Sequence, residues 1–276
     1  MGKKIEFSVD NDCGASAALA AFVAGLSRAN ADKLVKSGEV RVNGVRIKSN
    51  VKLRSGDGVT AFVPDSLLSP VSVKIVYEDE NIVVFDKPKH LPFDAIGAVY
   101  RGGEIFAAHR LDTNTSGLIV FAKSRAALDE LTRAFKARCV TKTYEALVCP
   151  APDIDRAELT AYIKMNGNIA SVTDKRTDGY KTMITEYEVV SRTGGCALLR
   201  VYPHTGRTHQ IRAHMKFIGC PIVGDPKYGG QKIDGAPDTQ MLCAVGIKFS
   251  DLRAPLEYLN GKSFETGSDF DLSFLK

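Results

Sequence analysis

The sequence predicts an α+β chain in two parts, a small basic one over residues 1–64 and a larger one over 71–276, joined by a linker at 65–70. Three observations predict it. Short runs of alternating apolar and polar residues recur, divided by the turn dipeptides Asn43-Gly44, Asn166-Gly167 and Gly194-Gly195, which is the pattern of antiparallel hairpins. Only four stretches carry helical periodicity, near 15–26, 28–36, 125–137 and 205–217. Charge also divides the chain: residues 28–54 hold eight Lys or Arg against two acids, a balance of +6, while the whole chain sums to +5. Such a segment suits a polyanionic partner or a solvated face.

Composition narrows the function classes. A hydrophobic fraction of 44% and a charged fraction of 25% are those of a soluble globular protein, and 276 residues suit one large domain with a small one. No apolar run approaches the roughly 18 residues of a membrane span. Met1-Gly2-Lys3-Lys4 leads into no apolar stretch, so no signal peptide is expected, and Glu6 argues against myristoylation. The cysteines at 13, 139, 149, 196, 220 and 243 form no C-x-x-C pair and no metal-ligand spacing, and they read as reduced thiols of a cytoplasmic protein.

In order, residues 1–13 read as a frayed or loosely paired leader. Residues 15–26 are Ala-rich, with Leu19, Phe22, Val23 and Leu26 on one helical face. Ser27 is an N-cap for a second helix over 28–36, which Gly38 ends. Val40, Val42, Val45 and Ile47 flank the Asn43-Gly44 turn, and 51–53 with 59–63 read as another hairpin around Gly56-Asp57-Gly58. Val73, Ile75 and Tyr77 alternate as a half-buried strand. Residues 82–85 form an apolar strand, stopped by Pro88, which has no N–H to give a ladder. His90 reads as a surface residue.

Ser124 caps a helix over 125–137 whose Leu128, Leu131 and Phe135 face the core. Arg133, Lys136 and Arg138 suit the negative end of its dipole or the charges of a polyanion. Tyr144, Ala146 and Val148 share one face of a strand over 141–148. Residues 159–165 and 169–173 read as strands joined at Asn166-Gly167-Asn168, and 183–190 with 197–202 as a hairpin across Thr193-Gly194-Gly195. Thr205 or Thr208 caps a helix that runs to about Phe217, striped by Ile211, Met215 and Ile218 and ended by Gly219. His204, His209 and His214 recur every five residues, which is not one helical face, so they read as hydrogen-bonding or surface histidines rather than a metal site. Residues 240–249 form a late strand. The tail from Asp251, with five acids and three basic residues, suggests no function.

The chain is organised around residues 109–123. Residues 117–122 are apolar, β-branched and aromatic, as in a buried strand. Before them lies a polar loop with one carboxylate, Asp112, between Arg110 and Thr113-Asn114-Thr115-Ser116. By itself Asp112 is either an Asx-turn residue or a catalytic group on a loop held by a core strand. His109-Arg110-Leu111-Asp112, followed by Thr115-Ser116-Gly117-Leu118, resembles the signature of the RluA-type pseudouridine synthases. Further blocks share the resemblance: Lys87-Pro88; Lys142-Thr143-Tyr144-Glu145-Ala146; Gly206-Arg207-Thr208-His209-Gln210-Ile211-Arg212 followed by His214; Gly224-Asp225-Pro226; and Leu242-Cys243-Ala244, where Cys243 stands for the family's His. The helix-helix-hairpin order of the first part, with Ser27-Arg28 and Val42-Asn43-Gly44, is similar to the S4 RNA-binding module.

The resemblance implies a pseudouridine synthase fold, a central mixed and largely antiparallel sheet flanked by helices, behind an S4 domain. It implies that Asp112 is the nucleophile, that Tyr144 stacks on the target base, that Arg212 pairs with Asp112, that Arg110 fills the space left by the flipped base, and that Leu242 packs near that base. The residue types suit these roles. A tyrosine packs flat on a pyrimidine while its hydroxyl keeps a polar handle. A guanidinium is always charged and grips carboxylates through two donors, which favours the anion that burial alone would disfavour. Arg28, Lys33, Lys36, Arg41 and Arg46 would offer the S4 part's positive surface to phosphates.

The implied activity is isomerisation of specific uridines to pseudouridine in structured RNA, with large-subunit ribosomal RNA the first expectation and transfer RNA the alternative. The base leaves its stack at a cost of a few kcal/mol. The carboxylate attacks, and uracil is freed from nitrogen, rotates and rejoins through carbon. An isomerisation without net redox change calls for no metal or organic cofactor. A monomer in the cytoplasm, off the membrane, is expected, because RNA supplies the large interface. Two other readings remain: a non-catalytic RNA-binding or ribosome-assembly factor that keeps the fold, and a hydrolase using Asp112 on a small ester, for which the basic module is superfluous.

Overall fold

The computed structural model describes residues 2–9, 12–23, 25–67 and 72–275. They group into two compact units, Met1–Ser72 with His90–Val99, and Val73–Lys89 with Tyr100–Lys276. Of the expected linker, Asp65–Leu67 forms a 3-10 turn, and 68–70 lie outside the described residues. No helix of the described residues is long and apolar enough to cross a membrane.

The first unit contains β1 (Gly2–Ser8), β2 (Cys13–Gly14), α1 (Ala15–Phe22), α2 (Arg28–Ser37), β3 (Val40–Val42), β4 (Val45–Ile47), β5 (Lys52–Leu53), β6 (Gly58–Pro64) and the short α3 (Ile96–Val99). A four-stranded antiparallel sheet runs β1-β6-β3-β4. The local signals hold at α2 and the hairpin. Ser27 Oγ accepts the Asn30 N–H at 3.2 Å, Gly38 closes α2 at φ 77°, and Asn43 and Gly44 turn β3 into β4 at φ 49° and 81°, both in the left-handed region that this turn requires. Leu19, Leu34, Val40, Leu53, Val59 and Val63 form the core.

Three expectations for this unit are corrected. The leader is an ordered edge strand, β1, paired with β6 from Gly2↔Pro64 to Ser8↔Gly58; Ile5 and Phe7 alternate with Lys4 and Glu6, and Phe7 stacks on Phe22 at 4.4 Å. The adjacent lysines mask that two-residue period. Helix α1 ends at Phe22, because the chain turns at Gly25 (φ 80°), and Val23 and Leu26 are buried outside the helix. The second hairpin does not form: β5 pairs with β2, and β6 with β1 and β3. Alternation marks a strand and its buried face but not its partner.

The second unit contains β7 (Lys74–Glu78), β8 (Ile82–Lys87), β9 (Phe106–Ala107), β10 (Ser116–Ala122), α4 (Arg125–Ala137), β11 (Val140–Val148), β12 (Arg156–Asn166), β13 (Ile169–Thr173), β14 (Lys181–Thr193), β15 (Cys196–Pro203), α5 (Gln210–Phe217), β16 (Leu242–Phe249) and β17 (Ser263–Glu265). Its eleven-stranded sheet runs β13-β12-β14-β15-β11-β16-β10-β8-β7, with β9 beside β10 and β17 beside β16. The described pairs are antiparallel except β10 with β16, which makes the sheet mixed and largely antiparallel, as expected. Every residue of β10 is buried. Gly117, at φ 104°, permits the parallel approach: a Cβ there would lie 2.1 Å from the Ala244 carbonyl oxygen.

Ser124 caps α4 by accepting the Ala127 N–H at 3.2 Å, and Leu131 and Ala134 pack against Leu118, Val120 and Phe249. Arg133 grips both oxygens of Glu130, at 2.8 and 2.7 Å, and donates to the Asp251 carbonyl at 2.6 Å, so it braces the helix. Helix α5 begins later than expected. Its N-cap is His209 at φ 57°, with no side-chain cap; Thr205 Oγ1 instead donates to Gln210 Oε1 at 2.7 Å and accepts the Ile184 N–H at 3.0 Å. Ala213 of α5 packs among Ala161, Ile163, Met183 and Tyr228. The tail is structural: Phe270, Leu272 and Phe274 pack on Leu147, Val223 and Met241. All six cysteines are free.

Candidate active site

The loop before β10 is pinned from several sides. Leu111 is buried. His109 Nε2 accepts the Val120 N–H at 3.0 Å, and burial pushes its imidazole down to about 3, so it is neutral. Asp112 O accepts the Thr115 N–H at 3.0 Å, closing a turn. Lys87, fully buried at the end of β8, donates to the Thr113 and Pro88 carbonyls, each at 3.0 Å. Burial pulls the Lys87 ammonium down to about 7, with the Asp112 charge opposing. These bonds leave the Asp112 side chain 19% exposed.

Helix α5 supplies the counter-charge. Arg212 Nη1 donates to Asp112 Oδ2 at 2.7 Å. Its Nε and Nη2 donate to the two oxygens of Asp225 at 2.7 and 2.9 Å. Asp225 is completely buried and also accepts the Lys227 and Tyr228 N–H groups. The Tyr228 ring lies 5.1 Å from the guanidinium. A planar guanidinium is suited to bridging two carboxylates, because its donors point along two edges. Burial pushes the Asp112 carboxyl up, but Arg212, then His209 and, more weakly, Arg110 outweigh it and hold the group below the usual aspartate range. Arg212 is correspondingly raised despite its burial. Gln210 anchors the start of α5 by donating to the Ile184 carbonyl and Thr185 Oγ1.

Asp112, Tyr144, Arg212, Arg110 and Leu242, all singled out in the sequence, line one cavity of ≈ 690 Å³. Tyr144 and Lys142 lie two apart on β11 and reach it from the same face. Just beside Tyr144 the β11–β16 register shifts: Thr143 faces Gly246 but Tyr144 faces Ala244. Such a bulge re-aims nearby side chains. Burial, then the Asp112 charge, drive the Tyr144 phenol further above its usual range, so it is neutral. Lys136, Arg138, Lys142 and Arg207 also line the cavity, which leaves Asp112 the one carboxylate among the described lining residues. An anionic carboxylate held by a preorganised cation, beside a neutral aromatic ring and an aliphatic side chain, makes a site that can take a flat, uncharged ring next to a charged oxygen.

Arg28, Lys33, Lys36, Arg41 and Arg46 belong to the other unit, and all are exposed. Arg41 and Arg46 face each other across β3 and β4. Arg46 also hydrogen-bonds the Gly38 carbonyl and pairs with Glu39 at 3.9 Å. Like charges placed directly opposite destabilise a hairpin unless an anion is bound.

Sequence reasoning assigned no role to Asp225, Tyr228, His209 or Lys87. Gly224-Asp225-Pro226 and Lys87-Pro88 were visible as motifs, but nothing local couples Asp225 to a guanidinium 13 residues earlier. The three histidines are all hydrogen-bonded: His204 to Glu186 at 3.2 Å, His209 to Tyr228 at 2.9 Å and His214 to Thr185 at 3.0 Å.

Residues 81–217 match the family described as RNA pseudouridylate synthase, and residues 20–59 match the S4 domain. An uncharacterized RNA pseudouridine synthase of Bacillus subtilis, YlyB, is 35% identical over 233 residues, covering 75% of this chain and 76% of its own. Ribosomal large subunit pseudouridine synthase C of Vibrio cholerae is 31% identical over 265 residues, covering 82% and 84%. Among solved structures, human RNA Pseudouridylate Synthase Domain Containing 1 superposes with a TM-score of 0.63 at 28% identity, over 75% of this chain and 87% of that one.

Proposed function

The chain belongs to the RNA pseudouridylate synthase family and is an RNA-binding isomerase of uridine, and from that premise we propose that its substrate is large-subunit ribosomal RNA and its nucleophile Asp112. The observation that carries the site is the 2.7 Å bond from Arg212 to Asp112 at the wall of the cavity that Tyr144 and Leu242 also line. The target uridine leaves its stack and enters the cavity, and Arg110 takes the vacated space. Tyr144 and Leu242 hold the flat base. Asp112, kept anionic, attacks C1′ and displaces uracil N1; uracil turns, and its C5 then displaces the carboxylate as the C5–C1′ bond forms. The proton lost from C5 balances the one gained at N1, so no oxidant or reductant enters. The name of the Vibrio cholerae relative supports the ribosomal substrate.

Residues 1–64 act as the S4 RNA-binding domain and 71–276 as the catalytic domain. The enzyme works as a monomer in the cytoplasm, since RNA supplies its main interface. Pseudouridine mapping of total RNA from cells with and without this gene tests the function. The expected result is one or a few large-subunit ribosomal positions that stay uridine without the gene. Loss confined to transfer RNA would reassign the substrate, and an unchanged map would overturn the function.

The exposed S4 cations make a separate prediction. Replacing Lys33 and Arg41 with Gln weakens RNA binding and lowers the slope of log K against log salt by roughly 1 for each lost phosphate contact. A salt titration that gives the wild-type slope would remove these residues from RNA binding.

A further inference from the structure

We propose that His209 and Asp112 form a ribose-hydroxyl subsite, in which the 2′-hydroxyl of the target nucleotide donates to Asp112 Oδ2 and accepts from His209 Nε2–H, so that the pair helps the enzyme prefer RNA to DNA. The proposal rests on the function argued above and names a contact that the nucleophile alone does not supply.

The hydrogen-bond chain behind His209 fixes its tautomer. The Ala170 N–H donates to Tyr228 Oη at 2.8 Å, and Tyr228 Oη lies 2.9 Å from His209 Nδ1. Among the described residues the Tyr228 hydrogen has no acceptor other than that nitrogen. Tyr228 therefore donates to Nδ1, and the proton of the neutral ring sits on Nε2. Burial, against the pull of Asp112, lowers this imidazole to about 4, so it is uncharged at neutral pH. Tyr228 is buried and meets the His209 ring edge-on at 5.6 Å, so the ring is held in place.

Nε2 lies 3.9 Å from Asp112 Oδ2, too far for a direct hydrogen bond. Both residues line the cavity. Oδ2 already accepts from Arg212 and keeps one lone pair. A donor and an acceptor side by side at this spacing fit one atom that both donates and accepts. A hydroxyl oxygen at ordinary hydrogen-bond distance from each spans the gap. A phosphate oxygen has no proton for the carboxylate, and a carbonyl oxygen has none either. On a flipped uridine the 2′-hydroxyl is attached to the carbon next to C1′, where the bond breaks. That hydroxyl is also the group by which proteins distinguish RNA from DNA.

The test uses the full-length protein and a synthetic RNA carrying the uridine that the wild type converts, alongside the same RNA with 2′-deoxyuridine at that position. Each is measured as a competitor of a labelled substrate RNA, so the readout does not depend on turnover of the competitor. Wild type is expected to bind the ribose form about tenfold more tightly. His209→Asn keeps an acceptor for Tyr228 but does not reach the Nε2 position, and it loses most of that preference. His209→Gln places an amide N–H near the Nε2 position and restores part of it. If His209→Asn weakens both RNAs equally and the preference stays tenfold, the proposal is overturned. The same holds if the wild type shows no preference. A wild type that forms no pseudouridine in any RNA instead overturns the function, before a variant is made.

Discussion

Asp112→Asn stops uridine isomerisation, lowering kcat by a factor on the order of 10⁴ or more, while the protein stays folded and binds RNA with nearly wild-type affinity. The amide keeps the shape of the carboxylate but neither attacks nor carries charge. Arg212 retains both bonds to Asp225, so α5 stays in place. Neutralising the one acid among the described cavity-lining residues removes a repulsion for a polyanion, which offsets the weaker acceptor that an amide oxygen offers a substrate hydroxyl. Single-turnover pseudouridine formation, with filter binding of the same RNA, checks both halves; product at wild-type rate would sink the nucleophile assignment. The variant also has a pH signature. The Asp112 carboxyl is held below its usual range, so it contributes stability above the ordinary aspartate pKa near 3.9, and that contribution is lost as pH falls through the folded value. Asp112→Asn lacks it, so the two proteins differ in thermal midpoint at pH 7 and converge on acidification.

Arg212→Met damages both stability and catalysis. Asp225 is completely buried, and two of its bonds come from Arg212. Removing one partner of a buried pair leaves an uncompensated charge and costs about 3–5 kcal/mol. At Asp112, burial then acts without its main opponent, so the carboxyl pKa rises and the acid limb of the activity profile moves to higher pH. Arg212→Lys retains a charge but not two edges of donors, so it keeps part of the stability and little of the activity. Adding Asp225→Asn to Arg212→Met removes the stranded charge and recovers part of the lost stability, as a double-mutant cycle. Urea unfolding with kcat/KM across pH measures all of this. An Arg212→Met protein as stable and active as wild type would refute the bridging role.

The parts of the fold legible in the sequence are those with a local cause. Ser27 and Ser124 cap the helices they precede, Asn43-Gly44 makes its hairpin, and β10 is buried along the apolar run that predicted it. The misreadings share a cause as well. β1 was hidden because its charged residues conceal a two-residue alternation, and Thr205 and Thr208 look like caps although Thr205 is bonded to Gln210 and β14.

The sequence by itself determined the family, the S4 domain and the candidate residues Asp112, Tyr144, Arg212 and Leu242, because motif order and short-range pattern survive in one dimension. Only the tertiary structure decided that Arg212 is shared between Asp112 and Asp225, which lie 100 and 13 residues away from it. It alone decided which strands pair, and that His209 lies with Nδ1 2.9 Å from Tyr228 Oη and Nε2 3.9 Å from Asp112 Oδ2. The physical reason is that burial, counter-charge and proton position depend on atoms brought together from distant parts of the chain, whereas caps, turns and buried strands answer to their immediate neighbours.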